Sequence, residues 1–334
     1  MTKAPALREH RERLAQTTQD TFHTVLTTQT YQEDVITDDD TVLIASGASH
    51  DLSDQIMRTR QATSFYPHHS PLLAAWEKVP VLSEKSNPQN LPRNTLPTPQ
   101  LTTTFEFVSL STLSAARNAW SSCSQSSALR IGVLNSSSPK RAGGASLSGG
   151  DTQEECLVRQ TTLLDSLQNS NAGMQFYSEH RSASDGSGLH DHSLLFSPGV
   201  IVFKDDRGRR IPPYAIDVVS GVPVNASTVL AKFSVDNSEL LNGIRVVMKE
   251  RMARILRLFE ERGDKTLILS AFGVGQFCNS PDMIGEIWAD LLSARDGKFR
   301  DVFDRVIFAI PPKHLTTFEN SFGSKVLESE LLHE

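Results

Sequence analysis

The chain is poor in cysteine, has no excess of positive charge and lacks long apolar runs. Its three cysteines, Cys123, Cys156 and Cys278, have neither metal-ligand spacing nor a disulfide framework, which points to a reducing compartment. The formal net charge of −6 gives no reason to expect a general nucleic-acid coat protein and leaves room for a local basic groove. No apolar run approaches the roughly 20 residues that span a membrane. The start, Met1-Thr2-Lys3-Ala4-Pro5, leads into a charged segment rather than an apolar signal segment. These absences suggest a soluble protein without a membrane partner, intracellular and either nuclear or cytoplasmic. No internal repeat is visible, and oligomeric state is not legible.

The 334 residues suffice for one large domain or two modest ones, and 38% hydrophobic content supports a sizeable core. Residues Ala6 to Tyr31 read as a helix, Thr41–Ala45 as a short strand and Pro71–Val79 as a helix. Pro88, Pro92, Pro97 and Pro99 among Ser, Asn and Thr make 82–100 a linker or surface loop. The first hundred residues thus read as an accessory helical region and linker, and 101–334 as the main domain.

From Thr102 strands and helices alternate. The strands are expected at Thr104–Ser109, Leu129–Asn135, Val200–Lys204, Ala215–Ser220, Lys265–Ser270 and Val302–Ile310. The helices are expected at Ser111–Ser121, Gln153–Leu167, Ser238–Arg262 and Pro281–Arg295. Such alternation predicts an α/β fold, a three-layer mixed sheet flanked by helices. The polar stretch between Asn169 and Ser197 reads as a loop.

The most informative segment is Gly143-Gly144-Ala145, seven residues, then Gln153-Glu154-Glu155, following the strand that ends in Val133-Leu134-Asn135. Glycines let backbone N–H groups approach an anion closely. Paired acids can protonate a leaving oxygen and steady a sugar cation. Downstream, the apolar run Leu267–Phe272 enters Gly273-Val274-Gly275-Gln276-Phe277, with Cys278-Asn279 after it. Exposed N–H groups in such a turn can wrap a diphosphate.

Together these motifs resemble the microbial-type poly(ADP-ribose) glycohydrolases. That family carries a strand ending in Val-Leu-Asn, a triple-glycine loop and Gln-Glu-Glu, then a Gly-x-Gly-x-Phe turn. Weaker likenesses at Ser197–Asp205, at Asp217–Asn225 and in the N-terminal helix extend the resemblance over most of the chain. It implies a macrodomain-like core that binds ADP-ribose at the carboxyl ends of its strands. It also implies release of ADP-ribose from poly(ADP-ribose), mainly from chain ends, because the N-terminal segment closes one side of the site. The partners implied are the polymer or an ADP-ribosylated protein, with ADP-ribose as product. No metal or redox cofactor belongs to that chemistry.

By the match, Glu155 is the general acid and base, with a pKa raised by the neighbouring carboxylate and phosphate. Glu154 holds ribose hydroxyls, Gln153 completes the motif, and Asn135 is a candidate contact to the terminal ribose. Gly143, Gly144, Ala145, Gly273, Val274, Gly275 and Gln276 form the two substrate loops, and Phe277 packs on a ribose. Structural readings stand beside these. Thr152-Gln153-Glu154-Glu155 is also a capping box, and capping competes with catalysis for the Glu155 carboxylate. The late turn also reads as a tight connection with a core phenylalanine, and Asn135 as a strand-end residue satisfying backbone groups. His190-Asp191-His192 and His68-His69 read as solvated loops, and Cys156 and Cys278 as core or loop thiols.

Three positions depart from the family pattern. Ala145 replaces the third loop glycine, so its methyl group is expected to obstruct positive φ or crowd the substrate. Ala142 replaces a proline, and Val274 stands where cysteine is common. Two other functions fit the motifs: hydrolysis of mono(ADP-ribosyl) groups on protein or nucleic acid, and non-catalytic binding of ADP-ribose.

Overall fold

A computed structural model describes residues 3–36, 42–43, 47–78, 102–122 and 130–331. The linker expected over 82–100 and Cys123 lie outside the described residues, as do parts of the strand expected at 41–45.

The N-terminal part begins with a helix, Lys3–His23, which runs into a wider π-helical turn, Thr24–Thr28. It therefore ends before Tyr31, which sits in a strand. Short strands β1 (Thr30–Gln32) and β4 (Ser49–Asp51) pair with each other, as do β2 (Val35–Ile36) and β3 (Val42–Leu43). A helix, Ser53–Ala62, leads into β5 (Ser64–Tyr66), and Pro71–Ala74 forms a helical turn.

The main sheet has seven strands in the order β5-β8-β9-β7-β10-β11-β6. The later strands are β6 (Thr104–Val108), β7 (Ile131–Ser136), β8 (Leu194–Lys204), β9 (Arg210–Gly221), β10 (Thr266–Leu269) and β11 (Arg305–Ala309). Strands β9, β7, β10, β11 and β6 run parallel, while β8 and β5 add an antiparallel edge. This edge strand β5 precedes residue 100, so the sheet draws on the N-terminal region.

Side chains alternate between the two faces, as the pleat dictates. Leu267, Leu269, Val306 and Phe308 enter one core with the Asn237–Arg262, Pro281–Leu292 and Pro312–Leu331 helices. Ile131, Val133, Ile268 and Ile307 enter the other with the Thr112–Ser122, Gln153–Gln160, Leu163–Asn169 and Asn171–Ser182 helices. Two helical layers on one sheet give the expected three-layer α/β architecture. Gly132 is required by packing: a Cβ there would lie 2.6 Å from the Phe259 ring.

Two segments differ from expectation. The helix expected over Gln153–Leu167 breaks after Gln160, because Thr161 is extended and bridges to Val202 while Thr162 N–H donates to the Ile201 carbonyl. Sheet pairing there displaces a helical continuation that two β-branched residues favour little. The loop expected after Asn169 contains the Asn171–Ser182 helix, whose N-cap Ser170 hydroxyl accepts from Gly173 N–H at 2.8 Å.

Candidate active site

All five parallel strands end at one cleft of about 1560 Å³. Strand order reverses around β7, since β9 lies on one side of it and β10 on the other. Ligands of open α/β sheets bind at such a switch point, outside the carboxyl ends of the strands. The cleft is walled by Ser109–Leu113 after β6, by Ser136–Ser138 after β7 and by the turn after β10. The Pro311–His314 segment after β11 and the loop 183–191 complete it.

Both glycine motifs reach this cleft. Gly144, Ala145, Glu154 and Glu155 line one wall, and Gly273 to Phe277 line another. Gly143 and Gly144 have φ of 73° and 54°, the region that favours glycine. Gly144 also lets the loop close on the acids: a Cβ there would sit 2.3 Å from Glu155 Oε1 and 3.4 Å from Glu154 Oε2. Gly143 faces inward instead and is buried against Val158 and Leu164. Ala145 has φ of −101°, which any residue adopts, so the obstruction expected from its methyl group does not arise at the backbone.

The Gln153–Gln160 helix starts with the full capping box: Glu155 Oε2 accepts from Thr152 N–H at 3.0 Å. Its other oxygen accepts from Ala145 N–H at 2.9 Å. A carboxylate has about four acceptor sites, so both contacts leave capacity toward the cleft. Capping and cleft placement therefore coexist in one side chain.

Glu154 is the more enclosed acid. Its Oε1 accepts from the Ser137 hydroxyl and the Tyr177 hydroxyl, each at 2.8 Å, and its Oε2 accepts from Ser138 N–H at 2.8 Å. Burial pushes its pKa up to about 7, more than these donors hold it down, and the Glu155 charge adds to the rise. Burial thus raises the Glu154 carboxyl, which the sequence reading assigns to holding ribose hydroxyls. Tyr177 was not legible as a site residue, because its helix lies in a polar stretch that reads as loop, and Ser137, directly after β7, carries no local mark of its contact with Glu154. The apolar pair Phe176-Tyr177 after the Ser170 cap was the available signal.

Gln153 is committed to the scaffold. Its amide nitrogen donates to Thr112 Oγ1 and the Leu134 carbonyl, and its oxygen accepts from Ser136 N–H. This ties the helix start to β7, although Gln153 also borders the cleft. Asn135 is fully buried beneath the floor; its Nδ2 donates to Ser220 Oγ at 3.0 Å and its Oδ1 has no partner among the described residues.

In the second turn, Gly273 has φ of 76° and presses on Asn279 and Pro223. Asn279 holds the turn by donating to the Gly273 and Val224 carbonyls. Among the described residues no group accepts from the N–H groups of Gly275, Gln276 and Phe277. Such consecutive N–H groups form an anion-binding concavity. The Phe277 ring lies 6.2 Å from that of His190.

His190-Asp191-His192 is half-buried rather than solvated. The buried Arg251 donates to the Leu189, His190 and Val222 carbonyls, pinning the loop to the end of β9. Burial beside Arg251 drives His190 down to about 4 and His192 down to about 3. His68 stacks on His192 and accepts from its N–H. Cys156 lines the cleft, but burial pushes its thiol up to about 12, which leaves it a poor nucleophile.

The N-terminal helix braces the glycine loop. Arg159, buried on the acid-bearing helix, donates to the Gly150 carbonyl and to Thr18 Oγ1, and it pairs with Asp151 at 3.4 Å. Thr21 donates to the Arg159 carbonyl, and Lys204, buried on β8, binds Asp20 at 2.6 Å.

The family model described as microbial-type PARG, catalytic domain, matches residues 31–205. No curated protein matches the chain. Among solved structures, poly(ADP-ribose) glycohydrolase from Thermomonospora curvata shares 26% identity and a TM-score of 0.73 over 93% of this chain and 98% of that one. The same enzyme bound to the inhibitor ADP-HPD gives 26% and 0.72 over the same shares. The Deinococcus radiodurans glycohydrolase in complex with ADP-ribose gives 26% and 0.65 over 82% of this chain and 97% of that one.

Proposed function

We propose, from the premise that the chain belongs to the microbial-type poly(ADP-ribose) glycohydrolase family, that Glu155 is the acid and base of its reaction. The enzyme hydrolyses ribose–ribose bonds in poly(ADP-ribose), mainly from chain ends, and releases ADP-ribose. The observation that carries the residue assignment is the convergence of both glycine turns and both carboxyls on one cleft.

In this reading the N–H groups of Gly275 to Phe277 receive the diphosphate, and Phe277 packs on a ribose. The bond between C1″ of the terminal ribose and O2′ of the next unit breaks. Glu155 gives its proton to O2′, a water oxygen bonds to C1″, and the water proton returns to Glu155. The Ala145 and Thr152 N–H groups fix the carboxyl through this exchange. Glu154, oriented by Ser137, Tyr177 and Ser138, binds ribose hydroxyls.

The test is Glu155→Gln. Release of ADP-ribose from purified polymer should fall by ~10²–10⁴-fold, the usual worth of such a group, with affinity for ADP-ribose retained. Retention of most activity would refute the assignment. The raised Glu154 carboxyl favours a second reading, in which Glu154 supplies the proton. In that case Glu154→Gln would be the more damaging variant and would remove the alkaline limb of the pH–rate profile.

A further inference from the structure

The loop that positions the two carboxyls also carries cations toward solvent. Its residue 138 gives an N–H to Glu154 and its residue 145 gives one to Glu155. Between them lie Lys140 and Arg141, both exposed and both at the mouth of the cleft. Arg181, exposed at the end of the Asn171–Ser182 helix, donates to the Lys140 carbonyl at 3.4 Å. Among the described residues, none of these three side chains has a carboxylate within ion-pairing distance. Several basic side chains packed around the sheet do, including Arg60, Arg130, Lys204 and Arg305. A cluster of unpaired cations in a chain of net charge −6 is a local field, not a bulk property.

We propose that Lys140, Arg141 and Arg181 form a subsite for the departing polymer chain, receiving the diphosphate of the unit whose 2′-oxygen leaves. The proposal rests on the glycohydrolase reading. That diphosphate is one ribose away from the bond cut beside Glu155, and the three cations flank the same loop on its solvent side. The terminal unit's own diphosphate is served by the separate turn at Gly275 to Phe277. The subsite thus contributes to holding the polymer and not to holding free ADP-ribose. Its ligand chemistry is a polyanion of repeating diphosphates.

The test combines Lys140→Ala, Arg141→Ala and Arg181→Ala in the full chain. Three quantities are measured: kcat and KM on purified polymer across ionic strength, affinity for ADP-ribose by calorimetry, and turnover of ADP-ribose joined at C1″ to a neutral aryl alcohol. The variant should show a KM on polymer roughly tenfold higher at low salt. The slope of log KM against log salt should fall by about 1 to 1.5, since two phosphate charges contribute ~0.7 each in single strands. ADP-ribose affinity and aryl-substrate turnover should stay within about twofold. Equal losses on polymer and aryl substrate, or an unchanged polymer KM and slope, would overturn the subsite. Competition by a single-stranded oligonucleotide that the variant abolishes, with polymer kinetics unchanged, would assign the patch to nucleic acid and also overturn it. Absence of any release by the wild-type chain would instead refute the glycohydrolase reading itself.

Discussion

Replacing Gly144 by alanine should separate the two demands this loop makes on glycine. The first demand is conformational. At φ of 54° an L-residue costs ~1–2 kcal/mol. The second is proximity. The new Cβ would sit 2.3 Å from Glu155 Oε1, against ordinary contact at 3.4 Å or more, so the carboxyl must retreat by about 1 Å. A misplacement of that size can cost ~10²-fold in rate. It would also stretch the hydrogen bonds from Ala145 and Thr152. Gly143→Ala is the matched control. Its φ of 73° imposes a similar conformational cost, but its Cβ would meet only the ends of Val158 and Leu164, at 3.2 and 3.3 Å. Urea unfolding should therefore show both variants destabilised by ~1–2 kcal/mol. Polymer hydrolysis should show kcat reduced by ~10²-fold in Gly144→Ala and by less than about tenfold in Gly143→Ala. Equal kcat losses in the two would mean that loop strain, not displacement of Glu155, governs activity.

Three further outcomes are expected. Burial raises Glu154 from 4.5 to about 7, so its contribution to stability is full below its unfolded pKa and is lost as pH rises through the folded one. Between pH 4 and pH 8.5 the stability difference between wild type and Glu154→Gln should change by ~3 kcal/mol against the wild type, and parallel urea-unfolding curves would refute this. Ala145→Gly should leave turnover within about threefold and cost ~0.4–1 kcal/mol through the unfolded chain, because φ at this position is already negative; a large gain in rate would show that the methyl group obstructs substrate. Arg159→Met removes donors to the Gly150 carbonyl and Thr18 and should cost ~1.5–3 kcal/mol, with faster amide exchange in the Lys3–His23 helix as the check.

The parallel strands and most core helices were legible because their apolar residues repeat at the period each element demands. The long Asn237–Arg262 helix was readable from Leu241 to Phe259 for this reason. Short elements were not. Strand β5 has three residues and acquires its identity only by pairing with β8, while the Asn171–Ser182 helix hides among polar residues. The break at Thr161 depends on its bridge to Val202, far along the sequence, and no local pattern encodes it.

By itself the sequence determined the chemistry available: glycines where φ must be positive, two adjacent acids on a helix start, and a second glycine-bearing turn. Their order and spacing also identified the family. Tertiary structure decided what those groups experience. The 130 or so residues between the turns are folded back so that both meet at the ends of β7 and β10. Burial beneath Tyr177, supplied by the distant Asn171–Ser182 helix, and against Ser137 directly after β7 raises the Glu154 carboxyl. Desolvation is a property of surroundings, and adjacent glutamates in a sequence carry no record of which one will lose its water.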